Sequence, residues 1–241
     1  MPLTAREKII VALDVPTAGE ARSALRELAE QAIWCKIGME LFTREGPDIV
    51  RFAVDQGFSV FLDLKFHDIP NTVAAGVRSA ISLGVKMLTI HASGGPEMMR
   101  AAVAAAGESD AIVLGVTVLT SSDRATLAAI GLDVDPEEQV LRLASQAQQA
   151  GLKGLVCSPL EIRSIRASLG DTIALVTPGV RPAGSAMGDQ KRVMTPGDAV
   201  RAGADWLVIG RPIMEAPNRA AAFSAIEEEI AGAIPQITPP N

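Results

Sequence analysis

The sequence contains few of the features that mark nucleic-acid-binding, secreted or membrane proteins. Only 3% of its 241 residues are aromatic, its formal net charge is −6, and it has no block of basic residues, so a nucleic-acid-binding surface is not expected. Residues 1–8 lack the apolar region of a signal peptide, and no uninterrupted apolar run is long enough to span a bilayer. We therefore expect a cytoplasmic protein that binds neither nucleic acid nor membrane.

Cysteine is scarce as well. Cys35 and Cys157 are the two cysteines of the sequence, each lies in an apolar, strand-like segment, and neither has a second ligand at the spacing of a metal site. Buried free thiols are therefore favoured over a disulfide, and the cysteines predict no metal site. Because the basic residues are dispersed, an anionic ligand has to be held by a few individually placed cations.

What the sequence does contain is a regular alternation of short apolar runs and stretches with helical periodicity. Its content of 48% hydrophobic and 21% charged residues is that of an ordinary globular protein. The apolar runs predict eight strands, which begin near residues 9, 34, 61, 85, 111, 154, 173 and 206. The periodic stretches predict helices over 17–31, 47–55, 72–83, 96–106, 136–150, 159–169, 196–204 and 216–233, with a further helical turn over 126–130.

Eight strands that alternate with helices in a chain of this length predict an α/β protein, a (β/α)8 TIM barrel. A doubly wound open sheet is the alternative. Barrel closure is favoured because charged or polar residues stand at the carboxyl ends of most strands, where all eight loops of a barrel face one site. No linker or shift in composition divides the chain, so we expect one catalytic domain over residues 1–241.

The most informative stretch is the third apolar run, residues 61–72, which carries charges inside and just after a buried strand. Asp63 and Lys65 are two residues apart, so in a strand they project to the same side, with Cα atoms roughly 6.5–7 Å apart. A buried ion pair adds little to stability even when it is well paired, so a catalytic role is favoured over a purely structural ion pair. Asp68 adds a third charge beyond the strand, where Pro70 can begin a helix.

Other strands also end in polar residues, which a barrel would gather at one mouth. In chain order, the ends of the strands supply Asp14, Lys36, Asp63, Lys65, His91, Thr120, Arg181 and Arg211. Taken singly, three of these have a simpler interpretation: His91 as a core histidine, Asp14 as a helix cap, and Thr120 as a cap or a bridging hydroxyl.

The last two strand ends predict a phosphate site. Arg211 follows Gly210 at a strand-to-helix turn, where glycine lets the backbone approach a ligand and the guanidinium can grip phosphate as a fork. Phosphate sites of TIM barrels commonly use the loops after strands seven and eight. The loop from Arg181 to Lys191 can fold over such a group, with Gln190 as an amide donor, and an ordinary surface loop is the alternative.

The run Asp63-x-Lys65-x-x-Asp68-Ile69-Pro70-x-Thr72 resembles the signature of the orotidine 5'-monophosphate decarboxylase family. The resemblance extends over essentially the whole chain through four further segments: Leu13-Asp14, Lys36-Ile37-Gly38, Thr177-Pro178-Gly179-Val180-Arg181 and Ile209-Gly210-Arg211. The spacing of the triad is shared with other phosphosugar barrels that act through enediolates. Lys36 is more specific, because magnesium-dependent sugar-phosphate decarboxylases are expected to have an acidic metal ligand at the end of strand two.

The resemblance implies a small-molecule nucleotide substrate that is held at several places. Asp14 and Lys36 would bind ribose hydroxyls, and Thr120 or the adjacent Ser121 would contact the pyrimidine edge. Asp63 would face the substrate carboxylate. The phosphate would be held by residues of the last two strand-end loops, namely Arg181, Gln190, Gly210 and Arg211.

The resemblance also implies decarboxylation to uridine 5'-monophosphate, the last step of pyrimidine (UMP) biosynthesis. The CO2 leaves a carbon with no adjacent carbonyl or imine to delocalise the electron pair, so the barrier is high. A fixed ammonium beside that carbon can stabilise the developing charge and then deliver a proton, a role that falls to Lys65. Lys36, Asp63 and Asp68 complete the catalytic row of charges, and the two carboxylates favour the charged form of Lys65. No metal or organic cofactor is required.

Finally, the resemblance implies a homodimer in which Asp68, Ile69 and Thr72 reach into the partner's site. Two other functions stay open from the residues alone: a metal-dependent ketose-phosphate decarboxylase, epimerase or aldolase on the same fold, and a catalytically silent phosphoribosyl-binding protein. The silent binder is disfavoured, because a mere binder gains nothing from aiming Asp63 at an anionic ligand.

Overall fold

Eight parallel strands close into a barrel in the computed structural model, which describes residues 3–182 and 194–234. The strands are β1 (Ile9–Ala12), β2 (Trp34–Gly38), β3 (Ser59–Phe66), β4 (Met87–His91), β5 (Ile112–Val116), β6 (Gly154–Val156), β7 (Ala174–Thr177) and β8 (Trp206–Ile209). Each strand pairs with the next along the chain, and β8 pairs with β1, where Val208 lies opposite Ile10. The prediction of a (β/α)8 barrel is confirmed, and the open doubly wound sheet is excluded.

The helices pack on the outside of the barrel. They are α1 (Ala18–Leu28), α2 (Met39–Glu45), α3 (Pro47–Asp55), α4 (Pro70–Ile81), α5 (Gly95–Ala106), α6 (Arg124–Ala129), α7 (Pro136–Gln149), α8 (Ile162–Leu169), α9 (Pro196–Ala202), α10 (Arg211–Met214) and α11 (Arg219–Ala231). Short 3-10 turns at Arg6–Lys8, Ala92–Gly94 and Pro159–Glu161 accompany them. None of the helices in the described ranges is long and apolar enough to cross a membrane.

Two of the short helices, α2 and α10, were not predicted. The first follows β2 directly and buries only Leu41, so it has no apolar period that could indicate a helix. The second is a single turn of four residues. Several predicted boundaries shift by a few residues, and two of these shifts have a clear local cause. Helix α4 begins at Pro70, since proline suits the first helical position. Helix α11 begins at Arg219, because the side chain of Asn218 accepts a hydrogen bond from the N–H of Ala221 and caps the helix there.

The strands are buried on both faces. Ile9 and Val11 of β1 belong to the core between strands and helices, whereas the alternate residue Ile10 belongs to a cluster inside the barrel. Burial on both faces explains why the strands are continuous apolar runs in the sequence. Trp34 and Trp206, the first residues of β2 and β8, pack edge to face beside the inner cluster with ring centroids 6.1 Å apart. Apolar side chains therefore fill the amino-terminal end of the barrel and leave the carboxyl end for a site.

Candidate active site

The carboxyl ends of the strands surround a cavity of about 470 Å³. Its apolar lining includes Phe61 and Val208, which also belong to the cluster inside the barrel. Eight residues that the sequence predicts for the site line it: Asp14, Lys36, Asp63, Lys65, Thr120, Arg181, Gly210 and Arg211. A pocket of this size, with an apolar floor and a few convergent polar groups, is suited to a small-molecule ligand.

Four of these side chains form a continuous row of alternating charge. Lys36 Nζ lies 3.0 Å from Asp14 Oδ1 and 3.7 Å from Asp63 Oδ2. Lys65 Nζ lies 2.8 Å from the other carboxylate oxygen, Asp63 Oδ1. The side chain of Asp14 is 61% exposed, whereas that of Asp63 is only 14% exposed. The row is therefore most exposed at Asp14 and most buried at Lys36 and Asp63, and Asp63 stands between two ammonium groups.

Asp63 keeps its charge although it is nearly buried. Burial on its own would raise the pKa of this carboxyl, but the charges of Lys36 and Lys65, with hydrogen bonds from Lys65 and Thr89, outweigh burial and hold the pKa below its ordinary value of 3.8. Because the pKa is lower in the folded state than in the unfolded chain, the ionised Asp63 carboxylate stabilises the folded state above about pH 4. This contribution is lost as the pH falls through the folded-state pKa. Asp63 is therefore an anion at neutral pH.

Lys65 meets Asp63 through an irregular segment of β3 rather than through the regular strand that the sequence predicts. The pairing between β3 and β4 shifts register between Leu62 and Phe66. Lys65 lies in this bulge with φ of 52°, the only positive φ of a non-glycine residue in the described ranges, a conformation that costs about 1–2 kcal/mol. Its N–H donates to Thr89 Oγ1 at 2.9 Å, and the Thr89 hydroxyl donates to Asp63 Oδ1 at 3.0 Å.

Two arginines face the cavity from the last two strand ends. Arg181 follows β7, and Gly210 and Arg211 follow β8 directly. Burial and then the charge of Arg211 lower the pKa of Arg181, while Glu215 acts in the opposite direction. Two guanidinium groups that repel each other across one cavity favour the binding of an anion between them. Gln190, predicted as a further phosphate contact, lies outside the described residues.

Three predicted residues lie away from the cavity. Asp68, Ile69 and Thr72 are exposed in the loop before α4 and in its first turn, and none of them is among the described residues that line the cavity. Asp68 Oδ1 accepts a hydrogen bond from the N–H of Ile69 at 2.6 Å, and Ile69 is 66% exposed. A role in the site of a second chain therefore stays a prediction for these three residues.

His91 ends β4 and is not among the described residues that line the cavity. Its ring centroid lies 5.4 Å from that of His67. Burial, followed by His67 and Lys65, lowers the pKa of His91, while Asp63 acts in the opposite direction. A half-buried imidazole that packs on a second histidine fits the simpler interpretation of His91 as a packed residue.

Sequence reasoning missed three residues of the site. Glu215 lines the cavity, and so does Cys157, which was considered only as a thiol. Thr89 lies behind Asp63, and the signal that could have found it is a lone hydroxyl inside the apolar run of β4. Both cysteines are buried free thiols, as predicted, and burial raises the pKa of Cys35 and of Cys157 to about 12. In the described part of the chain, no three His, Cys, Asp or Glu side chains are grouped so that they could hold a metal ion.

Known proteins resemble this chain over most of its length. The model of the orotidine 5'-phosphate decarboxylase / HUMPS family matches residues 7–226. The chain is 54% identical over 220 residues to orotidine 5'-phosphate decarboxylase of Anaeromyxobacter dehalogenans, covering 91% of this chain and 96% of the relative. It is 51% identical over 234 residues to that of Moorella thermoacetica, covering 94% and 93%. A solved orotidine 5'-phosphate decarboxylase structure from Lactobacillus acidophilus matches with a TM-score of 0.81 and 38% identity, covering 92% of this chain and 98% of that chain.

The position of Asp63 between two lysines makes a prediction for its titration. In a Lys36→Met variant the pKa of Asp63 should rise, because burial then acts against one neighbouring cation instead of two. The measurement is an NMR titration of the Asp63 carboxyl carbon. Lys86→Met is the matched control, since it removes the partner of the exposed Asp110 and should leave Asp63 unchanged. An Asp63 pKa that is the same in Lys36→Met as in the unmodified protein would contradict the pairing.

Proposed function

The chain belongs to the orotidine 5'-phosphate decarboxylase / HUMPS family, and we propose that it converts orotidine 5'-phosphate to uridine 5'-phosphate and CO2, the last step of UMP biosynthesis, without a metal or organic cofactor. It is a carboxy-lyase, the activity for which its curated relatives are named. The observation that carries the proposal is the row of alternating charge at the barrel mouth, in which Asp63 stands between Lys36 and Lys65.

The phosphate of the substrate is assigned to the ends of the last two strands. Arg181, Arg211 and the backbone of Gly210 line one cavity, and Gln190 is a further proposed contact outside the described residues. Guanidinium groups bind phosphate oxygens through charge-assisted, often bidentate hydrogen bonds. Because the phosphate does not react, its binding energy can offset the cost of placing the substrate carboxylate beside Asp63.

The ribose and the pyrimidine are assigned to the other strand ends of the cavity. Asp14 and Lys36, paired at 3.0 Å, provide a hydrogen-bond acceptor and a donor for the ribose hydroxyls. Thr120 lines the cavity, whereas Ser121 is exposed and is not among its described lining residues. We therefore assign the contact with the pyrimidine edge to Thr120.

The reaction then needs one proton and no other reagent. The bond from the pyrimidine ring to its carboxylate breaks, CO2 leaves, and the electron pair stays on the ring carbon. The fixed ammonium of Lys65 stabilises this charge and transfers a proton from Nζ to the carbon, after which the amine regains a proton from solvent. Asp63 holds Nζ at 2.8 Å, and its own negative charge disfavours the substrate carboxylate more than the neutral CO2 that forms from it.

Lys36 supports the cofactor-free part of the proposal. Its ammonium lies 3.0 Å from Asp14 and 3.7 Å from Asp63, the two carboxylates that would otherwise attract a cation here. It therefore supplies a positive charge at this place itself and repels a divalent cation. A metal-dependent relative would need an acidic ligand where this chain has Lys36.

We also propose that the active form is a homodimer in which Asp68, Ile69 and Thr72 of one chain complete the site of its partner. All three are exposed and stand apart from the described lining of their own cavity. Ile69 in particular is an apolar side chain with 66% exposure, which suits a position that a second chain covers.

The proposed reaction predicts activity that survives removal of metal ions. Protein dialysed against EDTA should consume orotidine 5'-phosphate and form uridine 5'-phosphate as fast as untreated protein, because the charges that act on the substrate are side chains. The loss of substrate absorbance follows the reaction directly. Activity that disappears with EDTA and returns with magnesium would contradict the cofactor-free mechanism, and absence of product under every condition would contradict the proposed function.

The shared site predicts complementation between two inactive variants. Lys65→Ala and Asp68→Ala homodimers should each be nearly inactive. A mixed dimer contains one site with both lesions and one site that has an intact Lys65 from one chain and an intact Asp68 from the other. With random pairing in a two-fold dimer, half of the dimers are mixed and each has one good site, so activity should recover to about a quarter of that of the unmodified protein.

The complementation is measured after the two variants have been dissociated, mixed and allowed to reassociate. Mass spectrometry establishes the fraction of mixed dimers. Each variant taken alone through the same cycle is the control for recovery that has other causes. If the mixture contains mixed dimers and stays as inactive as its parents, Asp68 acts within its own chain and the shared site is wrong.

A further inference from the structure

Thr89 connects the two residues on which the proposed chemistry depends. It is buried in β4 with 1% exposure, and its hydroxyl makes two hydrogen bonds to β3. The hydroxyl oxygen accepts from the N–H of Lys65 at 2.9 Å, and the hydroxyl proton is donated to Asp63 Oδ1 at 3.0 Å. A hydroxyl has one proton to donate, and here that proton goes to Asp63 while the oxygen accepts from Lys65. The two partners therefore fix the orientation of the hydroxyl.

The backbone N–H of Lys65 needs a hydrogen-bond acceptor from outside the strand ladder. Leu62 pairs with Leu88 and the next paired residue of β3, Phe66, pairs with Ile90, so a longer segment of β3 lies opposite Thr89 than a regular ladder allows. Within that bulge Lys65 has φ of 52°, which side-chain-bearing residues adopt only when the surroundings hold them there. The Thr89 hydroxyl binds the N–H of Lys65 where the ladder is interrupted.

The same hydroxyl also fixes Asp63. Oδ1 receives both the Thr89 hydroxyl and the ammonium of Lys65, the latter at 2.8 Å. Thr89 is held in turn by the regular pairing of β4 with β5, where it lies opposite Leu114. Groups supported from a packed strand keep their geometry better than groups on loops, so β4 acts as the rigid support for the charged end of β3.

We propose that Thr89 is a positioning residue for the decarboxylation: its hydroxyl holds the Lys65 backbone and the Asp63 carboxylate in the one arrangement that aims the ammonium into the cavity. This inference rests on the proposed function. Thr89 is not among the described residues that line the cavity, so it acts through Asp63 and Lys65 and not on the substrate.

The charged surroundings of Asp63 determine how the loss of this hydroxyl is read out. Lys36 faces the carboxylate from β2, Lys65 from β3, and His91 is the nearest titratable group farther along β4. Burial is the largest single effect on the pKa of Asp63, but the charges of the two lysines together with the hydrogen bonds from Lys65 and Thr89 outweigh it and lower that pKa. Removing the hydroxyl should therefore raise the pKa of Asp63 and move the acid limb of the pH profile to higher pH.

The test uses variants of matched shape in the full-length protein. Thr89→Val keeps the branched side chain and removes the hydroxyl, whereas Thr89→Ser keeps the hydroxyl. Thr117→Val is the control, because Thr117 is also buried and its hydroxyl donates to a backbone carbonyl, that of Val156 at 3.1 Å, and not to a residue of the charged row. If Thr89→Val does not fold, Thr89→Ala removes the same hydroxyl and takes its place.

The expected kinetic result is a split between kcat and binding. Thr89→Val should lower kcat about 10- to 100-fold, the range for losing one hydrogen bond to a charged group. KM for orotidine 5'-phosphate and Kd for uridine 5'-phosphate should change less than about threefold, because the phosphate and ribose contacts remain. Thr89→Ser and Thr117→Val should stay close to the unmodified enzyme. A Thr89→Val enzyme with unchanged kcat and pH profile overturns the proposal.

Two NMR measurements test whether Thr89 positions Asp63 and Lys65, and neither depends on enzymatic activity. In Thr89→Val the Asp63 carboxyl should titrate at higher pH, and the amide of Lys65 should exchange with solvent faster, while Thr89→Ser and Thr117→Val leave both unchanged. Unmodified protein that shows no decarboxylation would refute the proposed function, yet these two shifts would still support the positioning by Thr89. Unchanged titration and exchange in Thr89→Val would overturn it whatever the activity is.

Discussion

A carboxylate that is kept charged inside a barrel is the constraint on which the rest of this site depends. Asp63 is only 14% exposed, and an unpaired ion at such a place would be strongly destabilising. Its own strand and the two neighbouring strands stabilise the charge: Lys65 lies on β3, Lys36 on β2 and Thr89 on β4. The two oxygens of one side chain therefore tie three consecutive strands of the mouth together, and the geometry that solvates Asp63 also places two ammonium groups at the cavity.

This arrangement has a local cost that the barrel offsets. Lys65 adopts a left-handed backbone conformation within a bulge of β3, which costs about 1–2 kcal/mol relative to a regular strand. The strain is tolerated because β3 is paired with β2 on one side and with β4 on the other, in a barrel whose eight strands close on themselves. Strained residues concentrate at functional sites, and Lys65 carries both the strain and the proposed proton.

The sequence predicted the architecture well because parallel strands buried on both faces are continuous apolar runs, as Ile9 to Ala12 illustrates. Once the runs are read as strands of a closed barrel, the polar residues at their carboxyl ends are expected around one mouth. The pattern of apolar residues could not indicate α2, because this helix buries a single residue. The bulge at Lys65 also escaped prediction, because the alternation from Phe61 to Phe66 is that of a regular strand, and Thr89 has no sequence neighbour that connects it with Asp63. The lone hydroxyl in the apolar run of β4 marks Thr89 as unusual, but it does not identify Asp63 as the partner, because a long-range hydrogen bond leaves no local pattern.

We infer that the charge of Asp63, and not merely its shape, organises the row of alternating charge at the barrel mouth. The most direct measurement is the steady-state rate of Asp63→Asn, which keeps the size and planarity of the side chain and removes the anion between Lys36 and Lys65. We expect kcat for orotidine 5'-phosphate to fall about 100-fold or more, as when a preorganised charge is lost from an active site, while the affinity for uridine 5'-phosphate changes little. A variant that binds the product normally and retains kcat within about threefold of the unmodified enzyme would show that catalysis does not depend on the charge of Asp63.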